Sequence, residues 1–175
     1  SYPSSSSSTS TCDPIVFIAA NGFSPACYSP FLQSLQTLKM DYTIHCMLLR
    51  PLWDSPPPPD SLTHWQDFRE DLALFVDQQG LSSSIGIGHS IGATRLLSHA
   101  LSNPKAFSNL ILIEPALFSN LFYLGANAVR LLGLMDLLHP LVRASKHRLT
   151  HFSSPQALFK RYRKKPAFRY VSDAH

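Results

Sequence analysis

The sequence has few charged residues and few cysteines, and it contains no long hydrophobic run. Only 15% of its 175 residues are charged, whereas soluble domains contain about 25%. Hydrophobic residues make up 45% of the chain, which excludes global disorder and is enough for the core of one domain. The low charge suggests that some apolar surface is covered by further chain, by a partner or by a lipid-like substrate.

The three cysteines are Cys12, Cys27 and Cys46, with no CxxC pair and no histidine at a zinc-binding spacing. Neither a disulfide scaffold nor a metal site is expected. The longest stretch without a formal charge, residues 14–38, contains prolines and polar residues, so no membrane span is predicted. Because the start also lacks a secretory signal pattern, the unpaired cysteines favour an intracellular, cytoplasmic location.

Positive charge is concentrated in the last part of the chain. The net charge is +4, and the segment from Arg143 onward holds nine basic residues against one acid, Asp173. A segment of this kind can contact nucleic acid or an anionic membrane. Because no nucleic-acid-binding motif accompanies it, we expect a solvated surface and no nucleic-acid partner.

Three regions of the chain differ in pattern. Residues 1–13 are Ser-rich and polar and are predicted to be disordered. Residues 14–116 alternate buried, strand-like runs with amphipathic helices, and residues 117–175 are helix-like without another obvious strand. This pattern predicts an α/β fold, in which a mostly parallel sheet flanked by helices is followed by a helical cap region.

The predicted strands are short and apolar, and capping or terminating residues mark the helices between them. The strands are predicted at Ile15–Ala19, Thr43–Leu49, Ser84–Gly88 and Leu110–Ile113. Helices are predicted from Ser29 to about Lys39, from Asp60 or Ser61 to Gly80, over Ile91–Ser102, and in the cap region over Leu117–Leu149 and Pro155–Lys165.

The residues with the clearest chemical meaning are Gly88-His89-Ser90-Ile91-Gly92, a G-x-S-x-G between a predicted strand and a predicted helix. A serine on such a turn is held in a strained backbone conformation that exposes its hydroxyl. Glycines are needed on both sides because neighbouring backbone passes too close for a Cβ. The position of the motif therefore predicts a nucleophile elbow with Ser90 as the nucleophile.

On this motif the sequence resembles the α/β-hydrolase superfamily, in its serine-nucleophile branch, from Ile15 to about Ser145. Members that open epoxides or displace halide carry a carboxylate at the elbow, so Ser90 implies esterase, lipase or related acyl chemistry. The resemblance implies no cofactor. Apolar residues of the cap, among them Phe118 and Leu131, favour a small or medium hydrophobic ester or acyl substrate, although packing between helices explains most of them equally well. Members are longer and place an acid and a histidine after the cap, so the chain is expected to be a truncated member that ends before the remaining core strands.

The resemblance also implies an oxyanion loop at Ala20-Asn21-Gly22-Phe23, where the family usually has His-Gly-x. Asn21 departs from the usual histidine. The implied donors are the backbone N–H groups of Phe23 and Ile91, so the change at Asn21 need not destroy the oxyanion hole. Asn21-Gly22 is also an ordinary turn pair, and the two interpretations are compatible.

The sequence leaves the other two members of a catalytic triad open. Glu114 ends the fourth predicted strand and is a candidate acid, since a minority of serine hydrolases draw the acid from that loop. It is otherwise a loop carboxylate before Pro115. His89 is expected to pack and hydrogen-bond beside the elbow. The catalytic histidine is expected beyond residue 175, and surface or packing roles are assigned to His99, His139, His147, His151 and His175.

Two alternatives to an esterase remain at this stage. One is a catalytically inactive, hydrolase-like binding protein, which would lack an acid and a histidine after the cap. The other is an interaction module that uses the basic segment and binds in a salt-sensitive way. The sequence indicates no oligomeric state.

Overall fold

The computed structural model describes residues 13–38, 42–58, 61, 65–133, 149, 151–168 and 170. The chain divides into two compact units, Ser1–Leu117 and Phe118–His175. Disorder is predicted for residues 1–13, and of these only Asp13 is among the described residues.

The first unit is built on one parallel sheet of four strands, which confirms the predicted α/β class. The strands are β1 (Ile15–Ile18), β2 (Ile44–Met47), β3 (Ser84–His89) and β4 (Phe107–Ile113), in the spatial order β2-β1-β3-β4. Strand β4 begins at Phe107 rather than at the predicted Leu110. The prediction began at Leu110 because the polar, exposed Ser108 and Asn109 interrupt the apolar run, but in the structure Phe107 pairs with Ser84.

Helices cover both faces of this sheet. They are α1 (Ser29–Thr37), α2 (Trp65–Gln78) and α3 (Ile91–Ser102). Successive side chains of a strand point to opposite faces, so Val16 and Ile18 of β1 join a core cluster with residues of α2 and α3. Ile15 and Phe17 join the other cluster, which includes residues of α1. Burial on both sides explains why β1 is an unbroken apolar run.

A short 3-10 helix, Pro25–Tyr28, precedes α1 and was not predicted from the sequence. The Ser24 side chain caps it by accepting a hydrogen bond from the N–H of Ala26, at 3.3 Å. Its last residue, Tyr28, packs edge-on against Phe17 of β1, with ring centroids 5.0 Å apart. The 3-10 turn thereby brings the Tyr28 side chain onto the sheet.

A buried group of charges lies between α2 and α3. Asp71 accepts two hydrogen bonds from Arg50, at 2.7 Å and 2.8 Å. Arg95 of α3 is 6% exposed, and its guanidinium lies 3.7 Å from the centroid of the Phe68 ring. Burial lowers the pKa of Arg95 to about 10, so the guanidinium remains charged at neutral pH with the Asp71 carboxylate as a nearby counter-charge.

The described part of the second unit contains two α-helices, α4 (Asn120–Leu131) and α5 (Pro155–Arg163). The Ser154 side chain caps α5 by accepting a hydrogen bond from the N–H of Ala157, at 3.2 Å. The predicted helices extended to Leu149 and Lys165, and residues 134–148 lie outside the described residues. In the ranges that the structure describes, none of the helices has both the length and the apolarity needed to cross a membrane.

Candidate active site

The candidate site lies where the order of the strands reverses. From β1 the chain moves to β2 on one side, and β3 and β4 lie on the other side. In parallel α/β sheets, ligands bind beyond the carboxyl ends of the strands at such a switch point. Ile18 of β1 pairs with Gly88, and His89 pairs with Ile113. The segments that follow these three strands therefore meet at one edge of the sheet.

Ser90 lies between β3 and α3 in a sparsely populated backbone conformation, with φ 54° and ψ −118°. Only a surrounding structure that fixes the backbone keeps a residue other than glycine in such a conformation. The N–H of Ser90 donates a hydrogen bond to the carbonyl of Ile113, at 2.9 Å. The sharp turn, the strand before it and the helix after it are those expected for a nucleophile elbow.

The two glycines of the motif are required by close backbone contacts. A Cβ on Gly88 would lie 2.6 Å from the nitrogen of Ala93. A Cβ on Gly92 would overlap the carbonyl oxygen of Ile18 and would lie 2.8 Å from that of Ala19. Both contacts are with backbone, which cannot move aside as a flexible side chain can. Helix α3 can therefore approach β1 only because glycine occupies position 92.

Thr94 connects the elbow to the loop after β4. Its hydroxyl lies 3.2 Å from the carbonyl oxygen of Ser90 and 3.0 Å from that of Ala116. The N–H of Thr94 also donates to the Ser90 carbonyl, at 3.1 Å. Nothing in the sequence singles out Thr94, because a threonine in the first turn of a helix can equally well cap the helix, pack or face solvent.

The predicted oxyanion loop forms a tight turn at the end of β1. Gly22 has φ 76°, which favours glycine, and the N–H of Phe23 donates to the carbonyl of Ala20, at 3.1 Å. Phe23 therefore already has an acceptor within the turn. Ile91 is the first residue of α3, so its N–H has no acceptor within the helix. The roles of Phe23 and Ile91 as oxyanion donors stay predictions, as does the supporting role of Asn21, which is exposed.

Glu114 and His89 lie next to each other at this edge. The Glu114 carboxylate is 4.0 Å from Nε2 of His89, and the Glu114 side chain is 88% exposed. Glu114 also has a positive φ of 44°. The other ring nitrogen of His89, Nδ1, lies 2.7 Å from the hydroxyl of Tyr28. Tyr28 precedes His89 by 61 residues, so no sequence spacing pointed to this contact.

His99 is too far from Ser90 to act as its base. It lies near the end of α3, and nine residues of helix span about 13 Å. It is 4% exposed and packs against Phe107, and burial lowers the pKa of its imidazole. His151 is exposed, and the described residues do not include His139, His147 and His175. In the described ranges, no group of three metal-ligating side chains is found.

Comparisons with known proteins identify the family. Residues 15–174 match the sequence profile of the alpha/beta hydrolase family, whereas none of the curated proteins matches. Three solved structures with a similar fold are a carboxylesterase of the thaumarchaeon Nitrososphaera gargenis, the haloalkane dehalogenase DatA of Agrobacterium tumefaciens C58 and the naproxen esterase of Bacillus subtilis.

The likeness to these structures concerns the fold. The carboxylesterase is 20% identical with a TM-score of 0.57, over 85% of this chain and 54% of its own. The dehalogenase is 18% identical with a TM-score of 0.57, and the match covers 87% of this chain and 55% of the dehalogenase. The naproxen esterase is 18% identical with a TM-score of 0.52, and the match covers 76% of this chain and 51% of the esterase. This chain thus spans about half the length of each. Because the family profile covers residues 15–174, the chain belongs to the alpha/beta hydrolase family.

Proposed function

We propose that the protein is a serine hydrolase that cleaves an ester or related acyl substrate through an acyl-enzyme on Ser90. The observation that carries this proposal is the backbone of Ser90, held at φ 54° between β3 and α3 at the switch point of the sheet. A strained conformation at a residue with a nucleophilic side chain, between two glycines that close packing requires, supports a catalytic role.

In the proposed mechanism the Ser90 hydroxyl attacks the carbonyl carbon of the substrate and loses its proton to a base. The resulting oxyanion accepts hydrogen bonds from the backbone N–H groups of Ile91 and Phe23, each worth about 3 kcal/mol in the transition state. Collapse of this intermediate expels the alcohol, and water then releases the acid. For Phe23 to donate, its N–H must turn away from the Ala20 carbonyl or be shared with it.

The base and the acid of the proposed mechanism rest on different observations. We propose that the base is a histidine outside the described residues, because His99 is buried near the far end of α3. Glu114 is the candidate acid within the described part of the chain, since it lies at the same edge of the sheet as Ser90. Its carboxylate faces His89, at 4.0 Å.

The proposed substrate carries an apolar group near its ester bond. Phe23, in the predicted oxyanion loop, is 37% exposed, and Leu117, shortly after β4, is 62% exposed. Large apolar side chains exposed beside a polar catalytic group favour a hydrophobic acyl or alcohol group. We further propose an intracellular location, because Cys27 and Cys46 are both free thiols.

Pre-steady-state hydrolysis of p-nitrophenyl esters tests this function. An acyl-enzyme releases p-nitrophenolate in a rapid burst, stoichiometric with the protein, before slower steady turnover. We expect the amplitude of the burst to stay at one equivalent and its rate constant to increase from the acetate to the butyrate ester. A folded protein that shows neither burst nor turnover with any ester of the series would favour the inactive, hydrolase-like binding protein instead.

A second candidate function is binding to an anionic membrane surface through α5 and the turn that follows it. A hollow of about 460 Å³ is lined by Lys160, Arg161, Lys164 and Lys165. On the same helix, Leu158 is 40% exposed and Phe159 is 45% exposed. Basic side chains beside exposed apolar ones fit a surface of anionic phospholipids better than a nucleic acid.

We expect the protein to bind phosphatidylcholine vesicles that contain phosphatidylserine, with an affinity that falls as salt is added. Each cation near such a surface contributes about 1 kcal/mol. Replacement of the four residues that line the hollow by glutamine should therefore weaken binding by up to about a thousandfold in a sedimentation assay. A variant with Lys105→Gln and Arg130→Gln is the control. Equal binding to neutral vesicles, or tighter binding to single-stranded RNA, would contradict this function.

A further inference from the structure

We propose that Tyr28 is a positioning residue that fixes His89 as its neutral Nε2–H tautomer and holds the predicted oxyanion loop against the elbow. The geometry of three groups carries this inference: the hydroxyl of Tyr28, the N–H of Ala20 and the imidazole of His89. Its effect on reactivity rests on the proposed function of Ser90, whereas the tautomer of His89 can be measured without any activity.

The Tyr28 hydroxyl lies between two segments of the candidate site. The N–H of Ala20, at the start of the predicted oxyanion loop, donates a hydrogen bond to it at 3.1 Å. Nδ1 of His89, the residue before Ser90, lies 2.7 Å from the same oxygen. One side chain therefore joins the loop after β1 to the elbow after β3.

Counting protons assigns the direction of the shorter hydrogen bond. An amide N–H can only donate, so the Tyr28 oxygen accepts from Ala20 and its single proton is available for His89. If Nδ1 of His89 carried the proton instead, the hydroxyl would have to find another acceptor. The described residues supply none at this oxygen. Among the described groups, the arrangement that satisfies each of them without a water molecule has a bare Nδ1 and a proton on Nε2.

The surroundings of Tyr28 keep its hydroxyl protonated. Burial raises the pKa of the phenol above its ordinary value, an effect that the hydrogen bond from Ala20 only partly offsets. The ring packs edge-on against Phe17, with centroids 5.0 Å apart, and against His89, at 5.8 Å. Because these contacts involve the ring, phenylalanine at position 28 would retain them and remove only the hydroxyl.

The two hydrogen-bonding groups of Ala20 are both used at this point. Its N–H donates to Tyr28, and its carbonyl accepts from the N–H of Phe23. Ala20 is 6% exposed, so water cannot readily replace a lost partner. Removing the Tyr28 hydroxyl would release one end of the loop, and its effect would reach the proposed oxyanion donors through the backbone.

The proposed tautomer also orients a hydrogen-bond donor. With a proton on Nε2, the imidazole directs an N–H toward the side on which the Glu114 carboxylate lies, 4.0 Å away. The His89 side chain is 30% exposed there. A neutral N–H donor beside Ser90 can bind an acceptor oxygen of the substrate or a water molecule without competing for the serine proton.

The direct test is the tautomer of His89 in the protein labelled with ¹⁵N-histidine. Long-range ¹H–¹⁵N correlation spectra distinguish a protonated ring nitrogen from a bare one, and His89→Asn identifies the signals of His89. We expect a protonated Nε2 and a bare Nδ1 near neutral pH. In Tyr28→Phe we expect the two nitrogen shifts to move toward each other, because both tautomers become populated.

Tyr42→Phe is the matched control, since Tyr42 packs on the same core cluster as Tyr28 and precedes β2, at the end of the parallel sheet opposite to His89. Its His89 signals should equal those of the unmodified protein. A protonated Nδ1 in the unmodified protein would overturn the proposal without any variant. Signals of His89 that are the same with and without the Tyr28 hydroxyl would also overturn it.

A kinetic measurement then tests positioning. We expect Tyr28→Phe to slow phosphonylation of Ser90 by a fluorophosphonate by about 10- to 100-fold, as displaced oxyanion donors would. Tyr42→Phe should react at the original rate. An unaltered rate in Tyr28→Phe would refute positioning. A failure of Ser90 to react in any variant of a protein that contains the catalytic histidine would refute the proposed function, and the spectra would still decide the tautomer.

Discussion

Ser90→Ala is expected to abolish ester turnover by the protein that contains its catalytic histidine, with a decrease of about a million-fold in kcat. Loss of the serine from a triad has an effect of that order in serine hydrolases, because nucleophile and base act as a unit. Binding and oxyanion stabilisation alone still leave roughly a thousand- to ten-thousand-fold rate enhancement over water. The residual rate should therefore exceed the uncatalysed rate but lack the pre-steady-state burst.

Steady-state hydrolysis of p-nitrophenyl butyrate, with the variant's folding checked by circular dichroism, measures this effect. The control is Ser98→Ala, because Ser98 lies on the same helix and is exposed. Its turnover should match that of the unmodified protein. Ser90→Ala that retained the burst would show that another residue is acylated, and the mechanism proposed for Ser90 would be wrong.

Gly92→Ala is expected to lower the free energy of unfolding of the first unit by about 3 kcal/mol. The added Cβ would overlap the carbonyl oxygen of Ile18 and would lie 2.8 Å from that of Ala19. Both atoms belong to β1 or to the residue after it, at the centre of the sheet. Relief of the overlap requires α3 to move away from β1, which also displaces the elbow. Urea denaturation measures the stability, and phosphonylation measures the reactivity.

Gly125→Ala is the matched control for this substitution. Gly125 lies within α4, and, apart from its chain neighbours and the backbone of its own helix, no described atom lies within 4 Å of the position that its Cβ would take. An alanine there has no steric cost and should stabilise the helix by about 0.5 to 1 kcal/mol. If Gly92→Ala unfolded at the same urea concentration as the unmodified protein, the close contact between α3 and β1 would be refuted.

The strands and the tight strand-to-helix turn at Ser90 could be predicted because their signals are local. Buried parallel strands require unbroken apolar runs, such as Ile15–Ile18, and a tight strand-to-helix turn requires the glycines at 88 and 92. The start of β4 was missed because the polar, exposed Ser108 and Asn109 separate the buried Phe107 from the apolar run that begins at Leu110. The 3-10 helix before α1 was missed because a single capping serine gives little signal.

The polar contacts around the elbow could not be predicted, because they join residues far apart in sequence. The hydroxyl of Tyr28 meets His89 across 61 residues, and that of Thr94 reaches the Ala116 carbonyl across 22. Such pairs depend on how the strands align at the sheet edge, which a single sequence does not specify. The turn bond of the Phe23 N–H likewise depends on local backbone geometry rather than on residue type.

Fold similarity alone does not decide the chemistry of this site. The solved structures of similar fold include both carboxylesterases and a haloalkane dehalogenase, and one fold commonly supports several reactions. The identity of the residue at the elbow is the more informative observation. A serine hydroxyl at that position favours acyl transfer, because attack on a carbonyl gives an ester intermediate that water can hydrolyse.

The most direct test of the proposed function is intact-mass analysis after treatment with a fluorophosphonate. An activated serine oxygen forms a bond to phosphorus as fluoride leaves, and the adduct remains on the protein. We predict one adduct per chain, located by peptide mapping at Ser90, retained in Ser98→Ala and absent from Ser90→Ala. A folded protein that contains the catalytic histidine and stays unlabelled, or an adduct that persists in Ser90→Ala, would contradict a nucleophilic role for Ser90.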